Sequence, residues 1–575
     1  MNRVEMNRVE RIDGYLPLRD YALIGDGRTT ALVGRDGSID WLCLPRCDSP
    51  PWFDRILDAD AGGRFELCPD EAFDAVRRYR EGTNVLETTF TTASGSVRVT
   101  DALLRGDEPC LVRIVDGRAG SVSMRLRFEP RFDFGRSEPE QELRLRTWGT
   151  DDGPADDWFA IGEGDRATFT AGVGGGGASR NEVERELERT SAWWMDWSGR
   201  ARYDGPWREQ VVRSALVLKL LQYEPTGAIV AAPTTSLPER IGGELNWDYR
   251  FSWLRDGIYT MRALLSLGFE AEAEAFFRWQ IEATRPDAPE VKPLYCVDGS
   301  APAAERELDL PGYRSTRPVR IGNAATQQLQ LDNYGHLLES ASRLRGATGS
   351  LGTDAGALLA SFADFVVAAW RRPDAGIWEV RDGQHDFVQS KAMCWTALDR
   401  AATLAAEGAI PDRGSTWRAA ADAVRAWIEE DGWDERRGSY LPAPDLAGTA
   451  DASLLSLALC AYSSAGEPRF ASTVEAIRRD LSAGSPLLYR NTGSAEREGA
   501  FLTCSFWLVD VLGRAGRAEE GNELMSELVE LANDVGLYAE EMDPDSGDLL
   551  GNFPQALVHL ALVNAAVSLA NGDES

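Results

Sequence analysis

Lysine, histidine and long apolar runs are scarce in this chain, and each scarcity excludes a class of function. Of 61 basic residues only Lys219, Lys292 and Lys391 are lysine, against 92 acidic residues and a formal charge of −31 over 575 residues. A field of that sign repels nucleic acid and anionic membrane surfaces, so neither is expected as a partner. Carboxylate-rich, lysine-poor surfaces suit a salt-rich cytoplasm, where screening removes the self-repulsion; a halophilic, cytoplasmic setting is the expectation. No apolar stretch approaches the roughly 20 residues that cross a bilayer. The opening MNRVEMNRVERIDG is charged, unlike a secretory signal. Its repeated MNRVE reads as a duplicated translation start, and residues 1–10 are expected to be disordered.

Metal and cofactor signatures are equally thin. His336, His385 and His559 form no ligand spacing, and Cys43 and Cys47 have no second pair at zinc spacing. DPDSGD and DADAGG lack the later ligands of a calcium loop, and no G-x-S-x-G elbow or Walker loop occurs. Gly172, Gly174 and Gly177 formally spell G-x-G-x-x-G, but an acidic amphipathic helix follows instead of a second strand, so the run reads as a linker. No metal and no cofactor are expected.

What is present divides the chain in two. Residues 15 to about 172 alternate in β fashion, with Gly-containing turns and a hairpin signal at Asp36-Gly37, and no helix intervenes. An antiparallel sandwich follows from that pattern. From about 205 the period becomes helical, over 206–222, 254–268, 270–284, 323–346, 354–371, 388–407, 414–430, 450–465, 468–482, 499–515, 518–534 and 554–571. Twelve helices in that length predict six hairpins closed into a ring. The expected fold is multidomain β + α: an N-terminal antiparallel β super-sandwich over 1–178, a linker helix over 179–204, and a C-terminal (α/α)6 barrel over 205–575.

In such a ring, alternate loops emerge at one end, and those loops carry the unusual sequence: NWDYRFSWLRDG, RSTRPVRIGN, DAGIWEVRDG, DERRGSYLPAPD, LLYRNTGSAEREG and LYAEEMDPDSGDLLGNFP. The opposite loops are short and plain, so the elaborate end is where a pocket belongs. Two acids stand out there. Glu379 follows Trp378, whose indole would desolvate its carboxyl and favour the protonated form; Glu540 has Glu541 as a like-charged neighbour. A protonated carboxyl opposite an ionised one is the pairing that hydrolyses a glycosidic bond. Trp253, Arg255 and Asp256 suit a sugar platform of indole face and charged hydrogen-bonding groups, and Arg490 is either another hydroxyl ligand or a counter-ion for Glu540.

These motifs, in this order, resemble glycoside hydrolase family 15, the glucoamylase-like inverting α-glucosidases, which include trehalases of the same two-domain layout. The resemblance runs from DYALIGDGRTTALVGRDGSIDWLCLPRCDSP through NWDYRFSWLRD, QLDNYG, GIWEV, SKAMCWTALDRA and EGAFLTCSFWLVD to ANDVGLYAEEMDPDSGDLLGNFPQA. It implies Glu379 as general acid, Glu540 as general base, and Trp253, Arg255, Asp256, Trp378, Arg490 and Glu541 as substrate-binding residues. It implies release of β-glucose from an α-glucan or maltooligosaccharide as the main expectation and hydrolysis of α,α-trehalose as the alternative. Outside that resemblance, a non-catalytic carbohydrate binder is a remote third reading.

Overall fold

The computed structural model describes residues 9–149, 158–173, 179–352, 354–381 and 383–571; the expectations for residues 1–8 and for the Gly174–Gly177 run lie outside them. Twelve antiparallel strands come first: β1 (Tyr21–Gly25), β2 (Thr30–Gly34), β3 (Ser38–Cys43), β4 (Pro51–Phe53), β5 (Arg64–Pro69), β6 (Phe73–Tyr79), β7 (Leu86–Thr92), β8 (Gly95–Leu104), β9 (Cys110–Glu129), β10 (Leu143–Trp148), β11 (Trp158–Gly162) and β12 (Arg166–Val173). The Asp36-Gly37 turn joins β2 to β3, with Gly37 at φ +84°.

The long β9 joins the two layers. Its first half pairs with β8 and β12, and from Ser121 onward it pairs with β11 and β5. The crossing needs glycine: Gly120 has φ +65°, and a Cβ on Gly117 would overlap the Gly162 carbonyl. Between the layers lies a charged pair, Arg113 (0% exposed) and Asp101 (1% exposed). Arg113 donates to Asp101 at 2.7 Å and also to the Phe65 and Gly37 carbonyls at 2.7 and 2.8 Å, so one side chain ties β9, β8, β5 and the β2–β3 turn.

A helix α1 (Arg180–Gly199) leads across, its start held by the Glu182 carboxylate accepting the Ser179 backbone N–H at 2.6 Å. The barrel helices are α2 (Arg208–Leu221), α3 (Gly257–Ser266), α4 (Glu270–Thr284), α5 (Asp332–Thr348), α6 (Gly356–Ala369), α7 (Val388–Ala406), α8 (Gly414–Glu430), α9 (Ser456–Leu459), α10 (Pro468–Leu481), α11 (Leu502–Arg514), α12 (Ala518–Val529) and α13 (Ala556–Asn571). Odd-numbered helices from α3 to α13 pack each against the next, and α13 closes on α3. Burial follows from composition. In α11, Leu502 to Gly513 is buried throughout, and α13 is apolar on nearly every side. The outer helices α8 and α10 bury one stripe each, Trp417, Ala421, Val424 and Ile428, and Phe470, Val474, Ile477 and Leu481. No helix among the described residues is long and apolar enough to cross a membrane.

Several inner helices start later than their periodicity predicts, always at the elaborate end. Leu254–Asp256 is a 3-10 turn before α3; Asn323 caps another such turn over Ala324–Gln327, well short of α5. The helix expected over 450–465 shrinks to α9, because Asp451 accepts the Ser453 N–H at 2.7 Å to fix a 3-10 turn and Ala461 leaves helical space at φ +60°. The β layers brace these same loops. Trp41 donates to the Pro233 carbonyl at 2.7 Å, Arg46 pairs with Asp298 at 2.7 Å, and Arg250 donates to the Ser49 carbonyl at 3.1 Å.

Replacing Asp101 by Asn keeps the shape but leaves the buried Arg113 charge uncompensated. A loss of about 3–5 kcal/mol is expected, measured as an earlier first transition in thermal or urea unfolding.

Candidate active site

The loops preceding α3, α5, α7, α11 and α13 enclose one cavity of about 430 Å³, with Tyr249, Arg255, Trp378, Glu379, Arg490 and Glu540 in its wall. The loop preceding α9 contributes from behind: Asp451 accepts the Trp378 indole N–H at 2.8 Å.

Glu379 sits on a tight turn. Gly376 at φ +65° opens it, the Glu379 N–H returns to the Gly376 carbonyl at 3.1 Å, and Glu379 itself has φ +57°. A non-glycine residue in that region costs on the order of 1–2 kcal/mol, so the turn must be held from outside. Gln328 does this by donating to the Glu379 carbonyl at 3.1 Å. The side chain is gripped as firmly: Trp253 Nε1 at 2.6 Å, Arg255 Nη1 at 3.0 Å and Gln330 Nε2 at 3.3 Å all donate to Oε1. An oxygen with three donors on it cannot also bear a proton, so a protonated Glu379 carries its hydrogen on Oε2.

That arrangement differs from the one Trp378 and Trp253 suggested in sequence. The Trp378 ring packs 5.4 Å from Phe501 and 6.2 Å from Trp507 and turns its N–H to Asp451, so the groups touching the Glu379 carboxylate are Trp253, Arg255 and Gln330. Trp253 is 1% exposed and stands behind the cavity wall; it acts here through its N–H. Asp256 is also behind the wall, its Oδ1 3.6 Å from Arg255 Nε, and burial pushes its carboxyl up to about 6.

Glu540 precedes the short strand Glu541–Met542, and the alternation of an extended chain sends successive side chains to opposite sides. Glu540 lines the cavity; Glu541 points into the core and accepts the Gly499 N–H at 2.7 Å. Tyr249 donates its hydroxyl to Glu540 Oε1 at 2.9 Å, and Oε2 is buried without a protein partner. Burial pushes the Glu540 carboxyl up to about 7, against the pull of Arg490, the Tyr249 hydroxyl and Arg255. The Tyr249 ring meets Trp253 edge-on at 5.4 Å, so two neighbouring aromatic donors address the two glutamates.

Arg490 lines the cavity and is also a counter-ion. It donates through Nε to Glu498 at 3.0 Å and again through Nη2, and Nη2 lies 3.8 Å from Glu239. Among the described residues, Glu239, Glu498 and Glu541 form the one group whose carboxylate oxygens come close enough, within 4.8 Å, to share a cation; the Arg490 guanidinium supplies positive charge there. Glu540, which also feels the Arg490 charge, brings the carboxyls near this one guanidinium to four, and ionising all of them together is unfavourable. Burial, reinforced by their mutual repulsion, holds Glu239 and Glu541 well above the ordinary carboxylate range.

Tyr249, Gln330, Asp451, Glu239 and Glu498 join the site without having been among the residues expected from the sequence. Tyr249 was findable, because it lies inside NWDYRFSWLRDG. Glu239 and Glu498 carry no local signal and matter only through the fold.

Residues 205–567 match the family described as glycosyl hydrolases family 15, and residues 13–154 match the family described as trehalase-like, N-terminal. A trehalase of Mycolicibacterium smegmatis is 37% identical, the match covering 97% of this chain and 92% of that protein. A trehalase of Thermoplasma volcanium is 34% identical over 97% of this chain and 94% of its own length. The crystal structure of a bacterial glucoamylase complexed with acarbose superposes with a TM-score of 0.66 at 13% identity, covering 98% of this chain and 97% of that one; this is a likeness of fold, two β layers followed by an (α/α)6 barrel.

Glu541 tests the electrostatics of the cluster. Its folded-state carboxyl is raised above its unfolded value, so stability present at low pH is lost as pH rises toward the folded-state value. Glu541→Gln cannot suffer that loss. The variant is expected to melt above the parent at pH 8 and together with it at pH 4, by calorimetry at both pH values.

Proposed function

The chain belongs to glycosyl hydrolase family 15, and from that premise we propose that it is an α,α-trehalase working by single displacement, with Glu379 as general acid and Glu540 as general base. Glu379 gives the proton on Oε2 to the glycosidic oxygen. The bond from that oxygen to the anomeric carbon breaks as a water attacks from the opposite ring face, and Glu540 Oε2 takes the proton the water sheds. The attacked glucose emerges as the β anomer; the departing glucose keeps its α configuration. A water between the carboxyls requires them roughly 6.5–9.5 Å apart.

The observation that carries the mechanism is that the two glutamates border a single cavity, each with one oxygen occupied by fixed donors and one left over for proton transfer. A carboxyl pushed up to about 7 also suits a base that must gain and lose a proton near neutrality. For the substrate, the support is the name carried by relatives that match nearly end to end. The cavity, about 430 Å³, sits at the small end of ligand sites and has room for a disaccharide. The glucan expectation ranks second, since a likeness of fold is what favours it. A purely carbohydrate-binding protein would have no use for the paired acids.

Trehalose and maltotriose, offered separately to the purified enzyme in concentrated salt, test the substrate: glucose is expected from trehalose, and glucose from maltotriose alone would refute the reading. Glu379→Gln is expected to lower turnover of trehalose by about 10²–10⁴-fold while sparing α-glucosyl fluoride, whose leaving group needs no proton. Near-parental turnover of trehalose in that variant would remove Glu379 as the acid.

A further inference from the structure

One side of the cavity mouth is built unlike the rest. Trp247, on the loop before α3, faces the cavity together with Arg320, from the loop before α5, and Arg381, from the loop before α7. The two guanidinium carbons lie 4.4 and 3.9 Å from the Trp247 ring centroid. An indole so covered has little face left for stacking a sugar. What it offers instead is a stiff edge flanked by hydrogen-bond donors.

The stiffness has visible causes. Arg381 makes a two-pronged bond to Glu305, at 2.9 and 2.7 Å, and Glu305 in turn accepts the Ala324 N–H at 3.1 Å. Arg320 donates to the Glu244 and Asn246 carbonyls at 2.8 and 3.2 Å and lies 3.8 Å from Glu305. Three loops distant in sequence are thereby fastened into one wall, and Asp248, next to Trp247, is locked to Arg250 at 2.7 Å. Arg381 stands two residues beyond Glu379. The acid protonates the oxygen of the departing unit, so residues continuous with it flank the departing sugar, while those around Glu540 flank the water.

Resting on the trehalase reading above, we propose that Trp247, braced by Arg320 and Arg381, is the end wall of the leaving-glucose subsite and limits the substrate to two sugar units. The chemistry of the disaccharide agrees. Both anomeric carbons of trehalose are consumed in its single linkage, so nothing continues beyond the second ring. In a glucan the second ring carries a further unit on its anomeric carbon, which would meet the wall. The exposed side of the Arg381 guanidinium can donate to hydroxyls of the second ring.

The test uses kcat/KM on trehalose, on α-glucosyl fluoride (a one-atom leaving group that needs no second subsite) and on maltotriose. Trp247→Ala is expected to lower the trehalose-to-fluoride ratio roughly tenfold or more and to raise the maltotriose-to-fluoride ratio by a similar factor. A general loss of structure would reduce all three rates together and leave both ratios unchanged, which overturns the proposal. If Trp247→Ala does not fold, Arg381→Gln, which keeps the indole, is expected to move both ratios in the same directions, and unchanged ratios there overturn it equally. A parent enzyme that ignores trehalose defeats the trehalase reading itself; a parent that cleaves trehalose, with variants whose ratios do not move, defeats only the wall.

Discussion

Closure of the inner ring is the constraint from which the site follows. Once α13 packs back on α3, six chain entries are forced to one end, and each brings its loop toward a common axis. The late helix starts are part of the same arrangement. The 3-10 turn before α3 presents Arg255 to the cavity, and the turn before α9 seats Asp451 behind Trp378. Short inner helices thus exchange regular hydrogen bonding for the placement of polar side chains. The β layers make that exchange sustainable by bracing the loops from outside through Trp41, Arg46 and Ser49.

The two glutamates are held in different electrostatic settings by different means. Glu379 receives an indole, a guanidinium and an amide on one oxygen, a fixed cradle that orients the carboxyl and leaves one oxygen to act. Glu540 has a single phenol donor and lies against a group of buried carboxyls that share Arg490. Such a group costs folding free energy unless part of it stays protonated, and the raised positions of Glu239 and Glu541 are the consequence. Buried carboxyls perturbed in this way beside a cavity are a pattern expected of functional sites.

Much of this was legible in the sequence, and the limits have physical reasons. The change from period two to period 3.6 near residue 205 separates the layers from the barrel, and the alternation of plain and elaborate loops points to the end where Glu379 and Glu540 meet. Helix starts were misjudged where a side chain caps a 3-10 turn, as at Asn323 and Asp451, since apolar periodicity continues through such turns. Residue type alone marks Trp253 and Trp378 as stacking or shielding rings; what each does depends on where its N–H points, and only tertiary contacts decide that. Glu239 and Glu498 were invisible for the same reason, because their neighbours lie far away in the chain.

The central claim is that a water activated by Glu540 displaces a sugar protonated by Glu379, inverting one anomeric carbon. Proton NMR of the first glucose released from α,α-trehalose, recorded before mutarotation, reads this directly. The account predicts α- and β-glucose in equal amounts; α-glucose alone would mean retention and contradict it.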